Sequence, residues 1–232
     1  MLRKVPIICS WLFLTVFCHA QSNFTRGEEL LMRNQPAQAV SFLEIAVADD
    51  PSHPLTYLYL GVVYEQLGRT DEAIAVYRRI LPTAGNLSAN IANNLGNVYF
   101  QRGNTEEAER FYTQAIGFDS VFSNAYLGRA NTRIKAGNSQ NAISDYEQYL
   151  MLTPRSSQRA NIEQLINLIR SEIAIEEMKR LMLEEEQRRI AEERQKLMDS
   201  VSASLQSAAD YSRGLSSGAE GIETYEGEFV LE

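Results

Sequence analysis

The chain has 232 residues, and its 30 acidic and 22 basic side chains give a net charge of −8. That balance argues against a nucleic-acid partner, whose phosphates demand a basic surface, and gives no reason to expect adsorption to an anionic membrane. Both cysteines, Cys9 and Cys18, fall in the first 20 residues, so the rest of the chain has no disulfide framework.

Residues 1–20, MLRKVPIICSWLFLTVFCHA, read as a secretory leader. Arg3 and Lys4 form its positive start, Val5 to Phe17 its apolar core, and Cys18-His19-Ala20 places a cleavage point after Ala20. The apolar run is too short for an uncleaved anchor, since a spanning helix needs about 20 residues. A lipoprotein with Cys18 as the acylated residue is the other alternative, although Phe17 stands where a lipobox carries a small residue. Without Arg3 and Lys4 the mature chain has 20 basic against 30 acidic side chains, or −10. A thiol-free chain is indifferent to an oxidising compartment. The expected location is the periplasm, with an outer-membrane lipoprotein or a secreted protein as alternatives.

Residues 21–156 repeat. Gly27, Gly61, Gly96 and Ala130 are separated by 34, 35 and 34 residues, and Ala39, Ala73, Ala108 and Ala142 keep the same step. Each unit reads as two short amphipathic helices around a tight turn, which cannot bury their apolar faces without neighbours of the same kind. Gly68, Gly103 and Gly137 mark the turns, with Asn34-Gln35-Pro36 in the first unit. Asn104 or Thr105 caps the second helix of the third unit, and Glu106 and Glu107 favour its positive end. Leu43, Tyr77, Tyr112 and Tyr146 follow in phase, and the extra residue falls in the turn-rich stretch Pro82 to Asn86. In the fourth unit Arg133 stands where Leu30, Tyr64 and Tyr99 stand in the others, which suggests a partly exposed or snorkelling position near the end of the array.

The segments YLYLGVVYEQLGRTDEAIAVYRRIL, NNLGNVYFQRGNTEEAERFYTQAI and AYLGRANTRIKAGNSQNAISDYEQYL resemble the tetratricopeptide repeat family. The resemblance implies an all-α fold: a right-handed α-solenoid of helix pairs whose first helices line a concave groove. It also implies a scaffold that binds peptides or protein segments rather than an enzyme.

On a wheel of about 100° per residue, Asn90, Asn93, Asn97 and Gln101 share one face of the third unit's first helix. The resemblance assigns that face to the groove. Its equivalents are Phe24, Glu28 and Met32 in the first unit, Leu55, Leu58, Val62 and Gln66 in the second, and Asn124, Leu127, Asn131 and Lys135 in the fourth. The candidate partner-binding residues are therefore Leu55, Leu58, Val62, Asn90, Asn93, Asn97, Gln101, Asn124, Asn131 and Lys135. The groove starts apolar and becomes an amide surface. Leu58, Val62, Asn124 and Gly128 stand where some members of the family clamp a terminal carboxylate with lysine and arginine, so no such clamp is expected. An amide offers both a donor and an acceptor to an extended peptide. Removing Asn97 and Asn131 is expected to spare the fold and weaken the partner.

Residues 157–199 read as a capping helix, with Ile162, Leu165, Ile166, Ile169 and Ile173 at helical spacing. It runs on through MKRLMLEEEQRRIAEERQKLMDS, either as a solvated helix held by Glu-to-Arg and Glu-to-Lys pairs or as a coiled coil or partner helix. Residues 200–232 are rich in serine, glycine and alanine, then acidic, and read as a flexible tail. Its end, Tyr225 with Phe229, Val230 and Leu231, reads as a recognition motif or a segment that docks back.

Catalytic, cofactor and metal sites are not expected. The mature chain's only histidine, His53, sits between Pro51 and Pro54 as a turn residue, and no cysteine, histidine cluster or phosphate loop is present. The expected function is a non-enzymatic exported scaffold or adaptor that holds a peptide or protein segment in its groove. The alternative is a structural subunit of a bacterial envelope assembly that contacts its partners through the long C-terminal helix.

Overall fold

The computed structural model describes residues 23–219, and every regular element among them is a helix. Four helix pairs follow in sequence. They are α1 (23–32) with α2 (Pro36–Asp49), α3 (Pro54–Gln66) with α4 (Thr70–Ile80), α5 (Ser88–Gln101) with α6 (Thr105–Phe118), and α7 (Ser123–Lys135) with α8 (Ser139–Leu152). Each helix packs chiefly on the next, which makes residues up to Arg170 a right-handed α-solenoid. The leader, its cleavage point and Cys18 lie outside the described residues, as do Tyr225 and Phe229 to Leu231.

The turns obey the backbone chemistry of their residues. Gly68, Gly103 and Gly137 take φ of 71°, 78° and 78°, and Asn34 takes the same left-handed conformation at 55°. Asparagine is the residue best able to stand in for glycine there. After Gly103, the Asn104 side chain accepts a hydrogen bond from the Glu107 amide at 3.2 Å, so Asn104 rather than Thr105 caps α6.

The 34-residue period has a packing cause. A Cβ on Gly61 would lie 2.2 Å from Cε1 of Tyr77, and one on Gly96 would lie 2.7 Å from Tyr112. Gly27, Gly61 and Gly96 therefore let Leu43, Tyr77 and Tyr112 lie flat on the backbone of their first helices. Leu43, Tyr77, Tyr112 and, in the fourth unit, Tyr146 are almost completely buried. Each tyrosine hydroxyl then returns to its own first helix. Tyr77 donates to Glu65 Oε1 at 2.6 Å, Tyr112 to Asn97 Oδ1 at 2.8 Å, and Tyr146 to Asn131 Oδ1 at 2.6 Å. Burial raises the pKa of all three phenols.

Glu65 is the charged member of this set. Burial raises its carboxyl above the ordinary 4.5, and the Tyr77 hydrogen bond only partly offsets that. A raised folded-state pKa contributes stability that is complete below the unfolded value and is lost as pH rises through the folded one. Glu65→Gln keeps an acceptor for Tyr77 and removes the buried charge. It should therefore be more stable than the wild type at pH 7, by a margin that closes as pH falls to about 4. Thermal unfolding of the pair across that range checks this.

The helix after the repeats, α9, runs from Arg159 to Ala219. Its first part belongs to the repeat unit and caps it: Ile162, Ile166 and Ile169 are buried, and Leu165 is half-buried. The Arg159 guanidinium donates to the Leu150 carbonyl at 2.6 Å, satisfying an orphan acceptor at the end of α8. Residues from Ser171 onward form a second unit. Its described side chains are exposed except for the half-buried Ile173. Arg180 pairs with Glu177 at 2.5 Å and Arg189 with Glu186 at 2.7 Å, as in a solvated single helix.

The expected change to a flexible tail at Ser200 does not occur at that point, because the helix continues to Ala219. Alanine and leucine are good helix formers, and no glycine or proline interrupts the segment before Gly214. Two serines bond back into the helix, Ser204 Oγ to the Ser200 carbonyl at 3.0 Å and Ser212 Oγ to the Ala209 carbonyl at 2.9 Å. No helix among the described residues is long and apolar enough to cross a membrane.

Candidate functional site

The first helices of the third and fourth pairs, α5 and α7, enclose a cleft of about 280 Å³. Asn93 and Asn97 come from α5, one turn apart on the same face. Asn124 and Asn131 come from α7. Tyr112 of α6, Phe100, Leu127 and Gly128 complete the lining. None of these lining side chains is charged.

Four of the ten expected groove residues meet here: Asn93, Asn97, Asn124 and Asn131. The other six do not line the cleft. Asn90 is half-buried on the preceding turn, and Gln101 is exposed at the end of α5. Lys135 holds its ammonium 5.0 Å from the centre of the Phe100 ring, a cation–π contact at the cleft's edge. Leu55, Leu58 and Val62 lie half-buried on α3, where Leu58 and Val62 pack against the solenoid core. Phe24 of α1 stacks on Tyr59 with ring centres 5.8 Å apart and meets His53 edge-on at 5.2 Å. His53 itself contacts Thr56 Oγ1 at 2.7 Å, as a residue that starts α3.

The asparagines of the cleft divide into two kinds. Asn97 and Asn131 spend their amide oxygens on Tyr112 and Tyr146, which leaves Nδ2 as the free end. The idea that both could be removed at no cost to the fold is therefore corrected. Alanine at either position strands a buried hydroxyl, a loss of about 1 to 3 kcal/mol. Asn93 is 7% exposed, and its Oδ1 has no hydrogen-bond partner.

Gly128, unremarkable on a helical wheel, shapes the floor. A Cβ there would stand 2.4 Å from Cε1 of Tyr112, so its absence admits the ring between α5 and α7. Phe100 and Tyr112 escape the stripe pattern because one lies just off the helix face and the other on a different helix.

An ion network holds Arg133, whose side chain is 17% exposed, in keeping with the partly exposed position its sequence suggests, and paired with carboxylates rather than snorkelling. Arg133 donates to Glu109 Oε1 of α6 and to Asp145 Oδ2 of α8, both at 2.7 Å. Arg129 grips the same Asp145 with two bonds, of 2.9 and 2.7 Å, and reaches Thr113 Oγ1 at 3.1 Å. The two arginines of α7 thus tie it to α8 through Asp145 and to α6 through Glu109 and Thr113. Among the described residues, no three histidine, cysteine, aspartate or glutamate side chains come together as a metal site.

Models of the tetratricopeptide repeat match residues 52–119 and 93–159. No curated protein sequence matches the chain. Among solved structures, the fold is similar to that of MamA protein, at 21% identity over 65% of this chain and 80% of that one, with a TM-score of 0.58. It is similar to pilF of Pseudomonas aeruginosa, at 19% identity over 69% and 71% of the two chains and a TM-score of 0.59. A tetratricopeptide repeat protein from Parabacteroides merdae matches at 20% identity over 66% of this chain and 61% of that one, with a TM-score of 0.57. At such identities the likeness is one of fold.

Proposed function

This chain is a tetratricopeptide-repeat protein, a protein-interaction scaffold, and we propose that it acts as a non-enzymatic exported adaptor holding a peptide or protein segment against α3, α5 and α7. The observation that carries this reading is the uncharged cleft in which Asn93, Asn97, Asn124 and Asn131 converge. A concave site with a few converging polar groups is the usual form of a ligand-binding site. The half-buried Leu55, Leu58 and Val62 offer an apolar continuation on α3.

A second reading has its own observation. In the unit that begins at Ser171, Met178, Leu181, Leu183, Ile190 and Leu197 are 53 to 64% exposed. A subunit of an envelope assembly would bury such residues against partners. A photo-crosslinking residue at Asn124, and in a separate variant at Leu183, tests both readings in native cells. Capture of a partner at Asn124 supports the groove; capture at Leu183 alone transfers the function to the helix.

Export belongs to the same proposal, with the periplasm as the location and the outer-membrane lipoprotein or secreted forms as variants of it. Mass spectrometry of the native protein should find an N-terminus at Gln21, set by the charged start and apolar run of the leader. An acyl group on Cys18 would establish the lipoprotein form. An intact Met1 in the cytoplasm would overturn export.

A further inference from the structure

We propose that the unit beginning at Ser171 pairs with the same unit of a second copy of this chain, as a parallel two-stranded coiled coil. This deepens the second reading above, in which the long helix makes the contacts, by naming what it contacts.

The seam is set at the head of α9. Ile162, Ile166 and Ile169 are buried, and Ile173 is half-buried. They stand four and three residues apart in alternation, which is the spacing of a coiled-coil seam. The alternation continues without a break to the end of the helix. In its second half it sets Leu183, Ile190, Leu197, Val201, Ala208 and Tyr211 on one stripe. From Leu183 to Tyr211 is 211−183 = 28 residues, or four heptads, and about 42 Å of helix. Among the described residues nothing covers this stretch: Leu183, Ile190, Leu197 and Val201 are 47 to 64% exposed. Met198 and Leu205 adjoin the stripe and widen it.

The period itself selects another helix as the occupant. On a straight helix, residues seven apart drift by about 20° per heptad, and a left-handed supercoil around a second helix removes that drift. A broad or flat partner surface has no need of a strict seven-residue step from Leu183 to Ile190 to Leu197.

The charges beside the stripe select a second copy. In a parallel, in-register pair, Lys179 of one copy stands beside Glu184 of the other, and Arg194, within the seam, reaches Glu193 across it. Among the described residues, Glu193 and Arg194 have no ion-pair partner in their own chain. From Lys179 onward no flanking position sets like charge against like. Gln187 and Arg194 put polar layers into the seam, which fix its register at a cost in stability.

The test uses the full chain with Cys9→Ser and Cys18→Ser, so that an introduced thiol is the only one. Sedimentation equilibrium at micromolar concentration should give twice the chain mass. Ile190→Asp should raise the dissociation constant by about 100-fold or more, because it buries a charge in the seam. Leu181→Asp should leave it unchanged, since nine residues at about 100° each put Leu181 on the opposite face. Leu183→Cys and Leu197→Cys, in separate variants, should each form a disulfide between copies. The two sites are 197−183 = 14 residues apart, about 21 Å along the helix. An antiparallel pair could therefore bring only one of them beside its own counterpart.

A single-chain or three-chain mass would overturn the inference, and so would a disulfide at one site only or equal losses from Leu181→Asp and Ile190→Asp. Capture of a different protein at Leu183 by a chain that sediments singly keeps the helix as the contact and removes the second copy. A dimer that captures other proteins only at Asn124 leaves the pairing standing and returns partner binding to the groove.

Discussion

Replacing Asp145 by alanine should destabilise the repeat unit by about 3 to 5 kcal/mol, the cost of stranding buried charge. Asp145 has a side chain only 5% exposed and carries three charge-assisted bonds, two from Arg129 and one from Arg133. The arginines are themselves 14% and 17% exposed. Without the carboxylate, Arg129 keeps the Thr113 hydroxyl and the Tyr126 ring but no counter-charge, whereas Arg133 keeps Glu109. Arg133→Ala should cost less, about 1 to 3 kcal/mol, because Asp145 retains the two-pronged Arg129. Denaturant unfolding ranks the two variants. Hydrogen exchange then locates the loss: a solenoid is a chain of nearest-neighbour interfaces, so α7 and α8 should lose protection before α3 and α4. A cost below about 1 kcal/mol for Asp145→Ala would place the network in the class of screened surface pairs.

That network also marks where sequence reasoning ran out. Repetition is a local signal, and Gly61, Gly96, Tyr77 and Tyr112 disclosed their pairing through a fixed step. A charge's partner is set by the fold. Asp145 stands 12 residues and Glu109 24 residues from Arg133 in the chain, and no helical wheel joins them. The amide stripe was legible for the same reason that it was incomplete. The wheel puts Asn93 and Asn97 on one face, and both line the cleft, but it carries no information on where the neighbouring helix ends, so it does not disclose that Asn90 and Gln101 stand outside that lining. Nor does it disclose that Tyr112, 15 residues on, takes the oxygen of Asn97. The composition of the stretch after Ser200 suggests flexibility, but composition overlooks that alanine- and leucine-bearing turns with no glycine or proline before Gly214 stay helical.

Gly128→Ala should cost about 1 to 3 kcal/mol, although glycine-to-alanine in a helix interior ordinarily stabilises by about 0.5 to 1 kcal/mol. The reversal comes from Tyr112. Its ring lies between two glycines: a Cβ at Gly128 would stand 2.4 Å from Cε1, and one at Gly96 would stand 2.7 Å from the same atom. The ring has no retreat, so the added methyl must part α7 from α6 or drive Tyr112 off its bond to Asn97. Either outcome remodels the cleft floor, and partner binding should fall along with stability. A double-mutant cycle isolates the cause. Tyr112→Leu alone creates a cavity and costs about 2 to 5 kcal/mol, yet it also removes the ring atoms that oppose the new methyl. In that background Gly128→Ala should become neutral or stabilising, which makes the coupling between the two sites favourable by more than about 1 kcal/mol. A penalty of the same size in both backgrounds would mean that the methyl clashes with something other than Tyr112, and the close seat of that ring on α7 would no longer explain why residue 128 is glycine.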